Sequence, residues 1–397
     1  MAPNILWIVT TQWRAQACGY TGDPNARTPF LDALAAQSAN LTQAVTPHPF
    51  GPFARAAMLT GIASPRNGVR DYFDPLPPGV RTIAHEMNDR GYATAFFGKW
   101  HLYKRDVAAP LTGDEHAKIV VPPDFRGGFS FWEGYESGFL LNNPWLHGTR
   151  IPLPVQFEGY QSDLVCGRAL ENLHAREGPW FAIISLEAPH PPYGASAAGI
   201  RTPDPETLRL RGNVPRGGET AVRARAELCG YYMHIEATDR SIGRLLESLP
   251  GDTRVVVTSV HGDMHGSHGL FRKGWPHEES VRVPLLIRGG QGALRDDSPY
   301  SLTDLPRITI GWARGSADLP PAGAAAQISM PSVVRLPDQC DRIWRCVRTP
   351  ARKLVLNGDG SPWLFFDLEQ DPLEMNNLAL EPSRSLEIAA LKVSVTP

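Results

Sequence analysis

The residues of this chain best suited to chemistry are a few cations and imidazoles. Lys99 and His101 share Gly98-Lys-Trp-His-Leu102, and His190 lies in Pro189-His-Pro-Pro192. His261, His265, His268, Lys273 and His277 crowd a single stretch, and Arg55 adds a guanidinium. Thr11 and Gln12 contribute a hydroxyl and an amide. Ammonium and guanidinium groups attract negative charge as it develops, and imidazole exchanges protons near neutral pH. Such a set can bind an anion and move a proton. The chain as a whole cannot supply that specificity, because 39 Lys+Arg against 41 Asp+Glu leave a formal charge of −2. Anion binding must therefore come from a local cluster, and neither a nucleic-acid partner nor a membrane surface is expected.

Four buried strands position these groups. Ile5–Val9 is a short, fully apolar run ending in Thr10-Thr11-Gln12. Ala93–Phe97 leads to Lys99 and His101, Phe181–Leu186 to His190, and Val255–Ser259 to His261 and Asp263. Helical segments alternate with them. Thr28-Pro-Phe-Leu-Asp-Ala-Leu has a capping residue and a first-turn proline. Ala54–Leu59 ends near Gly61, and Ile83–Asp89 precedes the second strand. The alternation predicts a large, mostly parallel sheet covered by helices on both faces, an α/β fold. In such sheets ligands bind at the carboxyl ends of the strands, where these loops lie.

The 397 residues suffice for one large domain and a small one. A sheet domain over residues 1–315 and a small C-terminal α+β subdomain over 316–397 are expected, the latter opening at a shift toward Ala, Pro and Gly. The Arg-, Pro- and Gly-rich stretch 195–225 reads as an exposed excursion or lid, which could dock an acidic partner but is more often a solvated loop. Cys18, Cys166, Cys229, Cys340 and Cys346 are scattered and lack CxxC spacing, as in reduced cytoplasmic proteins. Met1-Ala-Pro-Asn4 lacks the basic start and long apolar run of a signal peptide, and no stretch is long enough to span a bilayer. Abundant Ala, Arg, Gly and Pro suggest a GC-rich bacterial gene.

Several motifs, in order and across nearly the whole chain, resemble the sulfatase family of the alkaline-phosphatase superfamily. They are Pro3-Asn-Ile-Leu-Trp-Ile-Val-Thr10, Thr28-Pro-Phe-Leu-Asp-Ala-Leu-Ala, Arg55-Ala-Ala-Met-Leu-Thr-Gly61 and Gly98-Lys-Trp-His-Leu102. Pro189-His-Pro-Pro192, His261-Gly-Asp-Met-His-Gly-Ser-His-Gly269, Lys273-Gly-Trp-Pro-His-Glu-Glu279 and Phe366-Asp-Leu-Glu-Gln-Asp-Pro-Leu-Glu-Met-Asn-Asn-Leu378 follow. The resemblance implies an alkaline-phosphatase-like sheet. It also implies three working parts: a Cys or Ser converted to formylglycine, a calcium ion held by carboxylates, and a cationic cradle for sulfate.

Two of these parts depart from the pattern. Counting back from Arg55, the nucleophile position is Gly51, which has no side chain to oxidise. Thr11 and Val260 stand where the family has metal-binding Asp, while Gln12 matches a known variant. The resemblance thus implies no formylglycine, no calcium and no other cofactor or metal. Arg55, Lys99, His101, His190 and Lys273 retain the cradle positions, with Gln12 and His261 beside them. Relics held by packing are the competing reading, although unpaired buried cations are costly to keep. His277 replaces an aromatic Tyr and is expected to be a titratable pocket residue. His261, His265 and His268 could be imagined as a soft-metal cluster, but two glycines interrupt their spacing. Trp13, Trp100 and Trp275 are read as core or pocket wall, and Glu278 and Glu279 as surface or supporting groups as readily as catalytic ones.

The expected substrate is a small-molecule sulfate ester or other anion, which a carrier protein or partner subunit could present. With no protein nucleophile, sulfate can leave from carbon, by ring closure through an internal amine or by elimination, in biosynthesis. His101, His190 or His277 is then the proton acceptor, with Lys99 and Lys273 on the leaving sulfate. The alternatives are a non-catalytic binder of an anion or protein, and a hydrolase using Thr11.

Overall fold

The computed structural model describes residues 2–395, so Met1 and the last two residues of the expected subdomain fall outside it. Ten strands build the main sheet: Ile5–Thr10 (β1), Ala39–Leu41 (β2), Ala93–Lys99 (β3), Phe131–Tyr135 (β4), Trp145–Gly148 (β5), Val155–Gln156 (β6), Trp180–Ser185 (β7), Arg254–Ser259 (β8), Leu285–Arg288 (β9) and Leu294–Asp296 (β10). Their order is β10-β2-β9-β8-β1-β7-β3-β4-β5-β6. The central strands β8, β1, β7, β3 and β4 run parallel, while β9 pairs antiparallel to β8 and to β2. This is the mixed, mostly parallel α/β sheet expected. The short edge strands were not legible, because a few residues carry too little periodicity.

β1 is apolar throughout because both faces of the sheet are covered. Trp7 and Val9 enter one core and Leu6 and Ile8 the other, as a period of two requires. Each such side chain contributes roughly 1.5–3 kcal/mol by burial. The helix Gly51–Thr60 packs in the first core, and the long helix Gly218–Glu247 covers the second.

Register sets the site. Val9 pairs with Ser185 of β7 and Thr258 of β8, and Gly98 of β3 pairs with Ser185. The strands therefore end level, bringing Thr11, Glu187, Lys99 and His261 to one rim. Gly98 has φ of 92°, and any Cβ there would collide with the Ser185 carbonyl, so only glycine permits this approach.

A second sheet, Ala326–Met330 (β11), Trp344–Arg348 (β12), Arg352–Asn357 (β13) and Pro362–Asp367 (β14), is antiparallel throughout. Its inner face shares a core with the main sheet: Ile328, Trp344, Val355 and Phe366 join Trp7 and Phe53. The stretch 195–225 is not a free lid. Ala197, Leu208, Asn213 and Val214 are buried, residues from 218 onward belong to the long helix, and none of the stretch lines the cavity described below. Among the described residues, no helix is long and apolar enough to cross a membrane.

Candidate functional site

A cavity of about 310 Å³ opens at the carboxyl rim of the main sheet. Thr11, Gly51, Lys99, His101, His190, His261 and Lys273 line it, with Phe50, Tyr72, Leu111, Thr112, Phe139, Pro191, Pro192 and Arg272. Leu336, Pro337, Asp338 and Gln339, from the chain between β11 and β12, complete the wall. The structure thus brings together five of the predicted cations and imidazoles. Arg55 and Gln12 stand behind the wall, and His277 is elsewhere.

Lys99 Nζ lies 2.6 Å from Glu187 Oε1, with both side chains sealed from solvent. The ammonium also sits 4.6 Å from the centre of the Phe139 ring, and Phe139 stacks on His190 at 4.3 Å. Burial, partly offset by Glu187, lowers the Lys99 pKa to about 8. Glu187 escaped the sequence reading. Its signal is a carboxylate directly after the apolar run Trp180–Leu186, where only a buried partner could hold it.

Lys273 is different. Its Nζ donates to Gln12 Oε1 at 2.6 Å and lies 3.0 Å from His190 Nε2. His190 Nδ1 faces the Pro191 carbonyl at 2.7 Å and must carry the proton, which leaves Nε2 as the acceptor. Among the described residues, no carboxylate forms an ion pair with Lys273. Burial, reinforced by Lys99, lowers its pKa to about 7. Behind it, Gln12 donates to Asp263 and to Tyr193, and Tyr193 donates to Asp263 at 2.6 Å.

The three imidazoles are neutral. Burial, strengthened by neighbouring cations, pushes His101, His190 and His261 well below their ordinary range. His261 Nδ1 meets the Gly262 carbonyl at 2.9 Å. Among the described residues, neither ring nitrogen of His101 has a hydrogen-bond partner, although the residue is buried. Unpaired buried polar groups are costly, and the residue that carries these lines the cavity.

Arg55 is no direct ligand of the cavity. Its guanidinium donates to the Lys99 carbonyl, the Ser185 hydroxyl and Thr11 Oγ1, at 3.1, 2.6 and 2.8 Å. Thr11 spends its own proton on the Leu186 carbonyl at 2.8 Å. No Cys or Ser lines the cavity among the described residues, and Gly51 opens the helix at its floor. The donor set around Gln12 does not fit a hard divalent cation. Thr11 is committed, Val260 has no donor, and the Lys273 ammonium occupies Gln12 Oε1.

His277 does not line the cavity; it stacks on His268 at 4.4 Å and lies 6.0 Å from Phe366. Its neighbours Glu278 and Glu279 are buried rather than at the surface. His261, His265 and His268 point to separate surroundings: Gly262, the Tyr193–Asp263 pair, and His277. Among the described residues, the set that could share an ion is His268, Glu279 and Glu374 instead. Trp13 and Trp100 are core, and Trp275 is partly buried, donating to the Phe271 carbonyl.

A mixed sheet with catalytic-type side chains at its carboxyl rim, backed by a small antiparallel sheet, defines an alkaline-phosphatase-like protein. The structure superposes on a YidJ sulfatase from Bacteroides fragilis with a TM-score of 0.84 at 24% identity, covering 98% of this chain and 93% of the other. A phosphonate monoester hydrolase of Agrobacterium radiobacter gives 0.74 at 19% identity, covering 99% and 94%. The family pattern Sulfatase matches residues 3–316. An ulvan-active sulfatase of Formosa agariphila is 31% identical over 96% of this chain and 78% of its own length. The chain belongs to the sulfatase family.

Proposed function

We propose that this sulfatase-family chain binds a sulfate ester in the rim cavity and releases sulfate without hydrolysing the sulfur–oxygen bond. One observation carries the reading: cationic and imidazole groups line the cavity, while Gly51 offers no attacking atom at its floor. Thr11, the remaining candidate for a protein nucleophile, is disfavoured. Its hydroxyl proton is committed to a carbonyl and its oxygen already accepts from Arg55. With no attack at sulfur, the bond that breaks is carbon–oxygen. A substrate amine or an adjacent C–H supplies the electron pair, and sulfate departs with the C–O pair. Lys273 and Lys99 face the departing charge, a neutral imidazole takes the proton, and enclosure preorganises the internal nucleophile.

The same reading is metal-independent, because an ammonium stands among the donors that would have to hold calcium. The five unpaired, buried cysteines suit a reducing, cytoplasmic setting. A bacterial biosynthetic role, with the sulfate ester presented by a carrier protein or partner subunit, completes the proposal.

Incubation with alkyl sulfates carrying a neighbouring amine, in oxygen-18 water, tests it. The expected product is a ring or an alkene with unlabelled sulfate. Sulfate carrying solvent oxygen sinks the reading, as does turnover that depends on calcium. A second reading, a non-catalytic anion binder, draws on the Lys99–Glu187 pair, which neutralises one cradle cation internally. It predicts sulfate-dependent thermal stabilisation with no turnover of any ester.

A further inference from the structure

Gly51 raises a question the loss of a nucleophile does not answer: why glycine? It occupies the first position of the helix Gly51–Thr60 and does not have a positive φ, so its backbone accepts any L-residue. Glycine loses more backbone freedom on folding than any other residue. Alanine, serine or cysteine would all serve the backbone better. The space decides against them. A Cβ built at position 51 would lie 2.9 Å from His101 Nδ1, closer than real Cβ atoms come, and a tight 3.2 Å from its Cε1, so the ring would have to shift. The ring cannot swing aside freely. Tyr72 and Phe139 stand edge-on to it at 5.7 and 6.2 Å, and His101 itself has φ of 58°, so its backbone is already unusual.

We infer that Gly51 is a positioning residue that gives His101 its seat, so that a base occupies the floor of the cavity where an attacking side chain would otherwise stand. The inference rests on the non-hydrolytic reading above. His101 serves that reading by geometry: it lines the cavity, is buried, and keeps both ring nitrogens without partners among the described residues. The step balances. An imidazole nitrogen takes the proton from the substrate's amine or C–H, the freed pair forms the new bond, and the C–O pair leaves on sulfate. The imidazolium then returns its proton to water. No oxidant or co-reactant is needed.

The test uses the full chain with two probes, inorganic sulfate for binding and a 2-aminoalkyl sulfate for turnover. Gly51→Ala should shift the His101 ring signals in ¹⁵N-histidine spectra and cut turnover about a hundredfold, the lower end of acid–base contributions. Sulfate affinity should stay within about twofold, since a methyl group removes no charge. His101→Ala should lose the same turnover, and adding Gly51→Ala to it should cost nothing further, because the methyl then has no ring to displace. Unchanged His101 signals and rate in Gly51→Ala overturn the inference. So does Gly51→Ser if it gains release of oxygen-18 sulfate, since position 51 would then be a vacated nucleophile and nothing more. If the wild type turns over no ester, the functional reading fails, while the ring signals still decide whether Gly51 seats His101. Should Gly51→Ala fold poorly, the His101→Ala background, where the clash is absent, restores the comparison.

Discussion

Lys353 and Lys273 are both buried, one at the junction of the two sheets and one in the rim cavity, and they are held in opposite ways. Lys353 Nζ meets Glu374 at 2.6 Å, Glu278 at 2.7 Å and the Pro276 carbonyl at 3.0 Å, so each of its three protons has an acceptor. Those carboxylates outweigh the burial penalty and raise its pKa. Arg348 binds Glu278 from the other side at 3.1 Å. Lys273 finds only a neutral amide and a neutral imidazole, and burial lowers its pKa to about 7. Charge in the junction is matched group by group, as structural burial demands. In the cavity, charge is left over: among the described residues, Lys273 has no carboxylate partner. Leftover charge costs stability and is what a ligand consumes.

The largest effect should come from breaking the matched cluster. Lys353→Met strands Glu374, while Glu278 keeps Arg348, and removing one partner of a buried pair costs about 3–5 kcal/mol. A large fall in thermal midpoint is expected, beyond what sulfate can restore. A midpoint within the error of wild type would show that the junction is not a structural staple.

Lys273→Met should do the reverse. Removing an unpaired cation leaves the fold as stable or more so, while sulfate affinity falls by about tenfold or more, the value of one charge-assisted contact. The sign with pH follows from the depressed pKa. Below about pH 7 the wild type carries the full cost of a buried ammonium, and that cost fades as pH rises toward the unfolded value of 10.5. The stability advantage of Lys273→Met should therefore be greatest below pH 7 and shrink above it. Sulfate affinity of the wild type should move the same way, strong below pH 7 and weakening as Lys273 loses its proton. Affinity flat from pH 6 to 9, measured calorimetrically, would remove Lys273 from the anion site.

A smaller effect is expected from Glu187→Gln. It removes the carboxylate's charge while the amide oxygen still accepts from Lys99, so sulfate should bind a few-fold more tightly and stability should fall by about 1–3 kcal/mol. Tighter binding would show that Glu187 restrains the site. Unchanged binding would assign the Lys99–Glu187 pair to structure, the outcome that favours a non-catalytic relic.

The sequence made the sheet and the rim legible, because apolar runs such as Ile5–Val9 and Phe181–Leu186 have one physical explanation, and the groups after them must lie at the strand ends. It could not distinguish Arg55 from Lys273. Both are cations in matching motifs, but Arg55 spends its guanidinium on a carbonyl and two hydroxyls behind the wall. Pairing is set by register and side-chain reach, which spacing along the chain does not encode. For the same reason Glu187, and the wall Leu336–Gln339 contributed from beyond residue 315, were invisible. The glycine at 51 read as an absence, and only the position of the His101 ring gives it a use.

His277 supplies the smallest and most discriminating test. By motif it was a pocket residue replacing a phenol; in the structure it belongs to the matched junction, stacked on His268 beside Glu278 and Glu279. Burial, aided by His268, lowers its pKa to about 3. Its Nδ1 has no partner among the described residues, so a ring without nitrogen loses little. His277→Phe should therefore change stability by no more than about 1 kcal/mol, and leave both sulfate affinity and ester turnover at wild-type values. A selective loss of turnover with the fold intact would return His277 to the reacting groups and erase the boundary between the two regions. An unchanged enzyme would fix that boundary between His277 and Lys273, four residues apart in sequence, one built into the junction and one facing the ligand.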